Sequence, residues 1–304
     1  MAKFQLNILG CGSAIPTVRH NPSSQIIDIR DNLFMIDCGE GAQLAMRRMK
    51  LKYARLNHIF ISHLHGDHCL GLIGLLSSMA LQGKTGVVSI HIFEEGARLF
   101  DEQLKFFCRD TPFEIKFNII KPQKAVILET NAITVETFPL FHRVPCVGFL
   151  FKEKPKLRHL KGDMVKFYNV PIKDLHSIRE GNDFITSEGV VVPNSRLTTD
   201  ASQVMSYAYC SDTAFNPQVA EMIKGVNTIY HEATYLNEFA KLARQRGHST
   251  ASEAARIAQL ADAERLILGH FSKRYRDESP ILNEAKEIFN NTILADDGLQ
   301  INLL

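Results

Sequence analysis

The sequence predicts an α+β chain folded as a four-layer α/β/β/α sandwich with one inserted arm. Two stretches of short Ile-, Leu- and Phe-rich runs, separated by turns, read as strands; helix-period segments fall between them; and the rhythm breaks from Lys152 to Val190. Two β-rich halves with amphipathic helices bury their apolar faces best as two packed sheets with helices outside. The expectation is a single domain over 1–304, with the arm inserted at about 152–190, rather than two separate domains.

The elements follow in order. Strands are expected at Phe4–Leu9, Ser24–Ile29, Leu33–Asp37 and Asn57–Ser62, with a helix at about Gly41–Lys50. Apolar residues at helical spacing follow at Leu70, Ile73, Leu76 and Ala80, then strands at Val87–Phe93, Phe113–Ile120, Ala132–Phe138 and Val147–Phe151. After the arm come a strand at Ser206–Cys210, a helix at Pro217–Ile223, a strand at Thr228–His231, a helix at Thr250–Ala261, a strand at Arg265–His270 and a helix at Pro280–Phe289. Thr250 with Glu253 has the spacing of a capping box, which fixes one helix start.

Composition narrows the class. With 45% hydrophobic and 22% charged residues the chain is an ordinary globular one, and a net charge of +2 offers no global basic field, so nucleic acid binding must come from local patches. The six cysteines (Cys11, Cys38, Cys69, Cys108, Cys146, Cys210) form no C-x-x-C pair and read as free thiols in a reducing compartment. No signal segment or 18-residue apolar run is present, so a cytoplasmic protein without a membrane partner is expected.

The chemistry concentrates in His63-Leu64-His65-Gly66-Asp67-His68. The i, i+2 spacing of His63 and His65 on extended backbone points both imidazoles to one side, and Asp67 and His68 follow where the chain turns into a helix. Three imidazoles and a carboxylate in six residues are costly to bury unless they coordinate something, and such donors suit zinc first and manganese or iron second. A polar loop with Asp67 as a helix cap is the bland alternative. His142, Asp212 and His270 each end a strand pattern and are the candidates to complete the site; singly, each also reads as a surface histidine or a capping aspartate. Two other signals are discounted: Gly10-Cys-Gly-Ser-Ala-Ile15 lacks the third glycine of a dinucleotide fingerprint, and Arg47, Arg48, Lys50 and Lys52 read as a solvated helix face.

These segments resemble the metallo-β-lactamase superfamily and, within it, the ribonuclease Z family of tRNA 3′-processing endonucleases. The resemblance rests on Gly10–Pro16, Ile36–Gly41, His63–His68, Ser211–Thr213, His231-Glu-Ala-Thr234, Gly247-His-Ser-Thr250 and Gly269–Ser272, and runs over essentially the whole chain. It implies two zinc ions, one held by His63, His65 and His142 and the other by Asp67, His68 and His270, with Asp212 bridging. Asp67 would take the proton of the attacking water. His248, oriented by Glu232, would protonate the leaving 3′-oxygen, because histidine titrates near the working pH. The free amides of the Thr250 helix are a candidate phosphate site; His231 is given no catalytic role.

The resemblance also implies precursor tRNA as substrate and a homodimer in which one subunit's arm serves the other's site. From Lys152 to Lys166 the arm holds six basic residues against Glu153 and Asp163, a local charge of +4. Lys154, Lys156, Arg158 and Lys161 are its candidate RNA contacts, with Arg19 and Asn21 near the N-terminus and Lys273 and Arg274 after His270. The arm departs from the family pattern: it lacks the usual Gly-Pro signature and reads Asn169-Val-Pro-Ile-Lys173. The competing enzymatic expectation is a small-molecule phosphodiesterase or other ester hydrolase of the same superfamily. A competing non-enzymatic expectation is an inactive binding module that kept the fold.

Overall fold

The computed structural model describes residues 4–303. It divides into two compact units. One holds the described residues up to Thr130, Thr134–Phe151 and the chain from Met205 onward; the other holds Asn131–Ile133 and Lys152–Val204.

The strands of the larger unit are β1 (Phe4–Gly10), β2 (Ser24–Ile29), β3 (Asn32–Cys38), β4 (Leu56–Phe60), β5 (Gly86–Ile92), β6 (Phe113–Ile119), β7 (Ala125–Glu129), β8 (Ile133–Leu140) and β9 (Cys146–Glu153). The smaller unit adds the two-residue strands β10 (His159–Leu160), β11 (Phe184–Ile185), β12 (Val191–Val192) and β13 (Thr198–Thr199). The chain then returns through β14 (Ser206–Cys210), β15 (Thr228–Glu232), β16 (Arg265–Gly269), β17 (Thr292–Leu294) and β18 (Gln300–Asn302). One seven-stranded sheet runs β18-β1-β2-β3-β4-β5-β6 and the other β17-β16-β15-β14-β9-β8-β7. From β3 to β6, and from β14 to β17, neighbouring strands are parallel.

Alternation along the strands builds the four layers. Leu33 and Met35 of β3, Ile59 of β4 and Val88, Ile90 and Ile92 of β5 pack with Met46, Leu72, Leu75, Leu76, Met79, Phe100 and Leu104 from helices Ala42–Arg48, Leu72–Leu81 and Glu94–Phe107. The alternate residues turn to the second sheet: Phe34 meets Phe151, Phe60 meets Phe149, and Tyr207 donates to Gln25. Helices Ala251–Leu260 and Ser279–Lys286 cover the far face of the second sheet. This is the α/β/β/α arrangement expected from the strand pattern.

Several boundaries moved for physical reasons. The helix expected from Gly41 starts at Ala42, because Gly41 sits at φ +84°, a left-handed conformation that favours glycine. The strand expected to reach Ser62 ends at Phe60, which leaves Ser62 and His63 beyond the ladder. The helix Glu94–Phe107 and strands β7, β17 and β18 were not expected. The last two are three residues each and are set by pairing with β16 and β1. The Thr250 capping box is present, with Thr250 Oγ1 accepting from Glu253 N and Glu253 accepting from Thr250 N.

The smaller unit has its own modest core of Ile178, Phe184, Val192 and Leu197, flanked by Leu160, Met164, Tyr168 and Val170. It continues to Val204, past the Val190 limit read from sequence, because β13 pairs with β10. Among the described residues no helix is long and apolar enough to cross a membrane, and all six cysteines are unpaired.

Candidate metal centre

The site sits where strands end, three of them (β4, β14 and β16) in parallel parts of the sheets, the edge at which open α/β sheets present side chains to ligands. His63, His65, Asp67 and His68 follow β4, His142 follows β8, Asp212 follows β14 and His270 follows β16. All seven come together. His63, His65, His142 and Asp212 offer ligand atoms within 4.8 Å of one another, and so do Asp67, His68 and His270. His63, His68, Asp212 and His270 are buried, with no more than 3% of their surface exposed.

Four of the five imidazoles, His63, His68, His142 and His270, are aimed by a partner on the other nitrogen. The Gly247 carbonyl can only accept, so His142 Nδ1 donates to it at 2.7 Å and Nε2 is left as a lone pair. His68 Nδ1 donates to Asp37 Oδ2 at 2.7 Å. Thr234 Oγ1 donates to Glu232 Oε2 at 2.6 Å and accepts from His270 Nδ1 at 2.9 Å. Ser62 Oγ donates to Asp37 Oδ2 and lies 3.0 Å from His63 Nδ1. This is how protein groups fix the tautomer and orientation of metal-binding histidines.

The facing nitrogens then crowd one another. His65 Nδ1 lies 3.1 Å from His63 Nε2 and 3.2 Å from His142 Nε2, and His68 Nε2 lies 3.3 Å from His270 Nε2. Asp212 Oδ1, 3.4 Å from His68 Nε2 and 3.2 Å from His270 Nε2, is buried without a hydrogen-bond donor. Around His63, His65 and His142 ring nitrogens face one another without protons to share, beside a carboxylate oxygen that lacks a donor, and a cation in the space between relieves both. The nitrogen and carboxylate donors fit a metal site of the type that zinc takes.

Protonation divides the cluster: burial pushes His68 down, but Asp212 and Asp37 prevail and hold it well above the usual histidine range. Burial, with neighbouring histidines adding to it for His63, lowers the pKa of His63, His65 and His142, so these imidazoles are neutral and able to donate. Burial alone would raise Asp212, but His270 and His68 hold it well below the carboxylate range.

His248 and Glu232 stand beside this cluster. Glu232 is fully buried and accepts from Thr213 N, Thr234 N, Thr234 Oγ1 and His248 Nδ1, the last at 2.9 Å. One carboxylate therefore orders His248 directly and His270 through Thr234. Burial pushes His248 down, yet Glu232 prevails and raises it to about 9, so it carries a proton at neutral pH. A cleft of about 540 Å³ opens over the cluster, lined by Asp67, Asp212, His248 and His270 and by the cations Arg143, Arg246, Lys273 and Arg274. The Arg274 guanidinium lies 4.5 Å from the Phe239 ring centre.

Some expected contacts are used elsewhere. The amides of Thr250, Ala251, Ser252 and Glu253 are taken by Glu253 Oε2, the Tyr235 carbonyl, Glu284 Oε1 and Thr250 Oγ1, so this helix start is no phosphate cradle. Asn21 turns its side-chain amide onto the Leu9 carbonyl, and Arg19 pairs with Glu278. In the smaller unit Lys156 pairs with Glu153, Arg158 with Asp200 and Thr198, and Lys161 with the Ser195 carbonyl. These bonds tie the three side chains to their own unit. His231 donates from Nδ1 to the Glu232 carbonyl and lies away from the cluster's ligand sets.

Sequence reading missed Asp37, Thr234, Arg143 and Arg246. Asp37 had a signal: it ends a strand as the other acidic candidates do. It adopts φ 54°, and His270 adopts φ 58°, left-handed conformations rare for such residues and typical of functional positions.

The fold and this cluster define a class, the metallo-β-lactamase fold with its metal-binding site. A Bacillus subtilis protein of that fold matches 99% of each chain at a TM-score of 0.69 and 18% identity. Human tRNase Z, short form, matches 99% of each chain at a TM-score of 0.71 and 22% identity. Proteins named Ribonuclease Z are 49% identical in Parabacteroides distasonis and 47% identical in Porphyromonas gingivalis, each over all of both chains. The chain belongs to the ribonuclease Z family, and residues 4–164 also match the model of a family described as Anti-Pycsar protein Apyc1.

Proposed function

We propose that this chain is a metal-dependent endoribonuclease that removes the 3′ trailer from precursor tRNA, leaving a 3′-hydroxyl on the tRNA and a 5′-phosphate on the trailer. The observation that carries the reading is near-half identity to ribonuclease Z proteins over the entire length, in a chain whose seven donor residues converge. His63, His65 and His142 would hold one ion and Asp67, His68 and His270 the other, with Asp212 available to both. Bound there, two zinc ions (or manganese or iron) supply an acidified water and neutralise charge on the phosphate.

The chain's own groups do the rest. Asp67, whose Oδ2 accepts the Ala14 amide at 2.7 Å, takes the proton of the attacking water. Protonated His248, held by Glu232, delivers its proton to the leaving 3′-oxygen. Lys273 and Arg274, with Arg143 and Arg246, neutralise the flanking phosphates in the cleft, and Arg19 extends that basic rim. The domain plan is a single catalytic domain with an inserted arm. Lys154, Lys156, Arg158 and Lys161 and the net positive charge of the segment provide its grip on tRNA, and Lys156, Arg158 and Lys161 also hold its own fold. A homodimer shares arms between sites.

Incubation with an end-labelled precursor tRNA and mapping of both product ends tests this reading. The expected result is a single cut after the discriminator base. Cleavage of small diesters with no tRNA product would overturn it in favour of the phosphodiesterase alternative.

A further inference from the structure

A second group of ligand-type side chains lies outside the histidine centre. Cys11, at the end of β1, His20 in the following loop and Asp297 before β18 bring Sγ, Nδ1 and Oδ1 to a common point. Cys11 is fully buried and His20 nearly so. The three atoms form a triangle of 3.3 Å (Sγ to Nδ1), 3.4 Å (Nδ1 to Oδ1) and 3.5 Å (Sγ to Oδ1). We propose that Cys11, His20 and Asp297 form a separate structural site for one thiophilic divalent transition metal.

Two observations support it independently. With metal–sulfur bonds of about 2.3 Å and metal–nitrogen or metal–oxygen bonds of about 2.0–2.2 Å, one face of a tetrahedron has edges of roughly 3.3–3.6 Å. The observed triangle has those edges, and its spacing resembles the 3.1–3.3 Å between facing nitrogens of the histidine centre. Second, His20 Nε2 lies 3.3 Å from Oε1 of buried Glu278, the carboxylate–histidine pairing that turns the opposite nitrogen into a donor. His68 shows the same pairing with Asp37. Burial pushes His20 down, but Asp297 and Glu278 prevail and raise it, so the carboxylates around Nδ1 favour positive charge at that point, which a bound cation supplies in place of the second ring proton. Asp296 Oδ1, 3.7 Å from His20 Nδ1, or a water completes the four positions.

Position gives the site a purpose. Cys11 and Phe271 are hydrogen-bonded through their backbones beside His270, and the loop between Cys11 and His20 carries the Ala14 amide that holds Asp67. A metal here rivets the first strand, that loop and the C-terminal segment together. Burial first, and Asp297 next, pushes the Cys11 thiol well up, so entry of the ion displaces its proton to solvent.

Cobalt(II) loading of the purified full-length chain distinguishes this site from the histidine centre, whose clusters contain no thiol among the described residues. A near-ultraviolet thiolate-to-cobalt charge-transfer band is expected in the wild type. In Cys11→Ser it should vanish, and the bound cobalt should fall by about one equivalent while the visible bands of the nitrogen–oxygen centre remain. Asp297→Asn provides a second variant with the same expected loss, and the wild-type spectrum decides alone if either variant fails to fold. A wild type without that band, or a Cys11→Ser protein binding as much cobalt as the wild type, overturns the proposal. The cluster is then an imidazolium held by Glu278 and Asp297 through hydrogen bonds alone.

Discussion

The cleft and the inserted unit use charged side chains in opposite ways. Around the cleft, imidazoles and carboxylates are tied at their backs, to Asp37, Glu232, Gly247 and Thr234, so that their fronts converge on one small volume. In the inserted unit Lys156, Arg158 and Lys161 are tied at the front, onto a carbonyl or a carboxylate of their own unit. The first arrangement concentrates electrostatic demand for a ligand to relieve; the second relieves it internally. A residue's charge in the sequence does not say which of the two it does.

The sharpest way to break this contrast is in the cleft. Asp67→Ala should abolish cleavage of precursor tRNA while circular dichroism shows an intact fold; retained cleavage would remove Asp67 from the chemistry. His248→Ala should lower kcat by about 10²–10⁴-fold with KM little changed. A wild-type rate for that variant at every pH would end its role as general acid. Asp37→Asn tests the tying from behind, and a loss of about 10–100-fold in metal affinity is expected by competition with a chelating dye.

Smaller effects belong to the inserted unit. Replacing Lys152–Val204 with a short linker should cut kcat/KM for precursor tRNA by at least roughly tenfold, about 1.4 kcal/mol. Its salt dependence should flatten, while turnover of a small chromogenic diester stays. Full tRNA activity after that replacement would remove the unit from substrate binding. Arg158→Ala should reduce thermal stability by about 1 kcal/mol or less and, with several cations sharing the grip, change tRNA affinity only slightly. A clear loss of affinity would place Arg158 on the RNA surface.

Much of the fold was legible because buried strands announce themselves by composition. Ser24–Ile29 and Ser206–Cys210 match their expected limits, and Thr250 with Glu253 marks its helix start by chemistry. β17 and β18 were illegible because three residues carry no pattern; pairing makes them strands. The elements of the inserted unit were hidden for a related reason, since a core as small as Ile178, Phe184, Val192 and Leu197 leaves little periodicity. Within the site, ligand-type residues stood out by type and spacing. Asp37 and Thr234 did not, because an aspartate or threonine at a strand end also reads as an ordinary turn residue. The availability of the Thr250 helix amides was misread because Glu284, whose carboxylate occupies one of them, lies 32 residues away in sequence.

Asp37 has one further consequence. Its carboxylate accepts from Ser62 and His68 on the side of the first sheet and from the Tyr209 hydroxyl of the second, at 2.7–2.9 Å. Neither half of the sandwich, made separately, would contain a finished site. The donor residues come from segments spread between His63 and His270, so they converge only once the two sheets have packed, with Asp37 and Tyr209 joined across them.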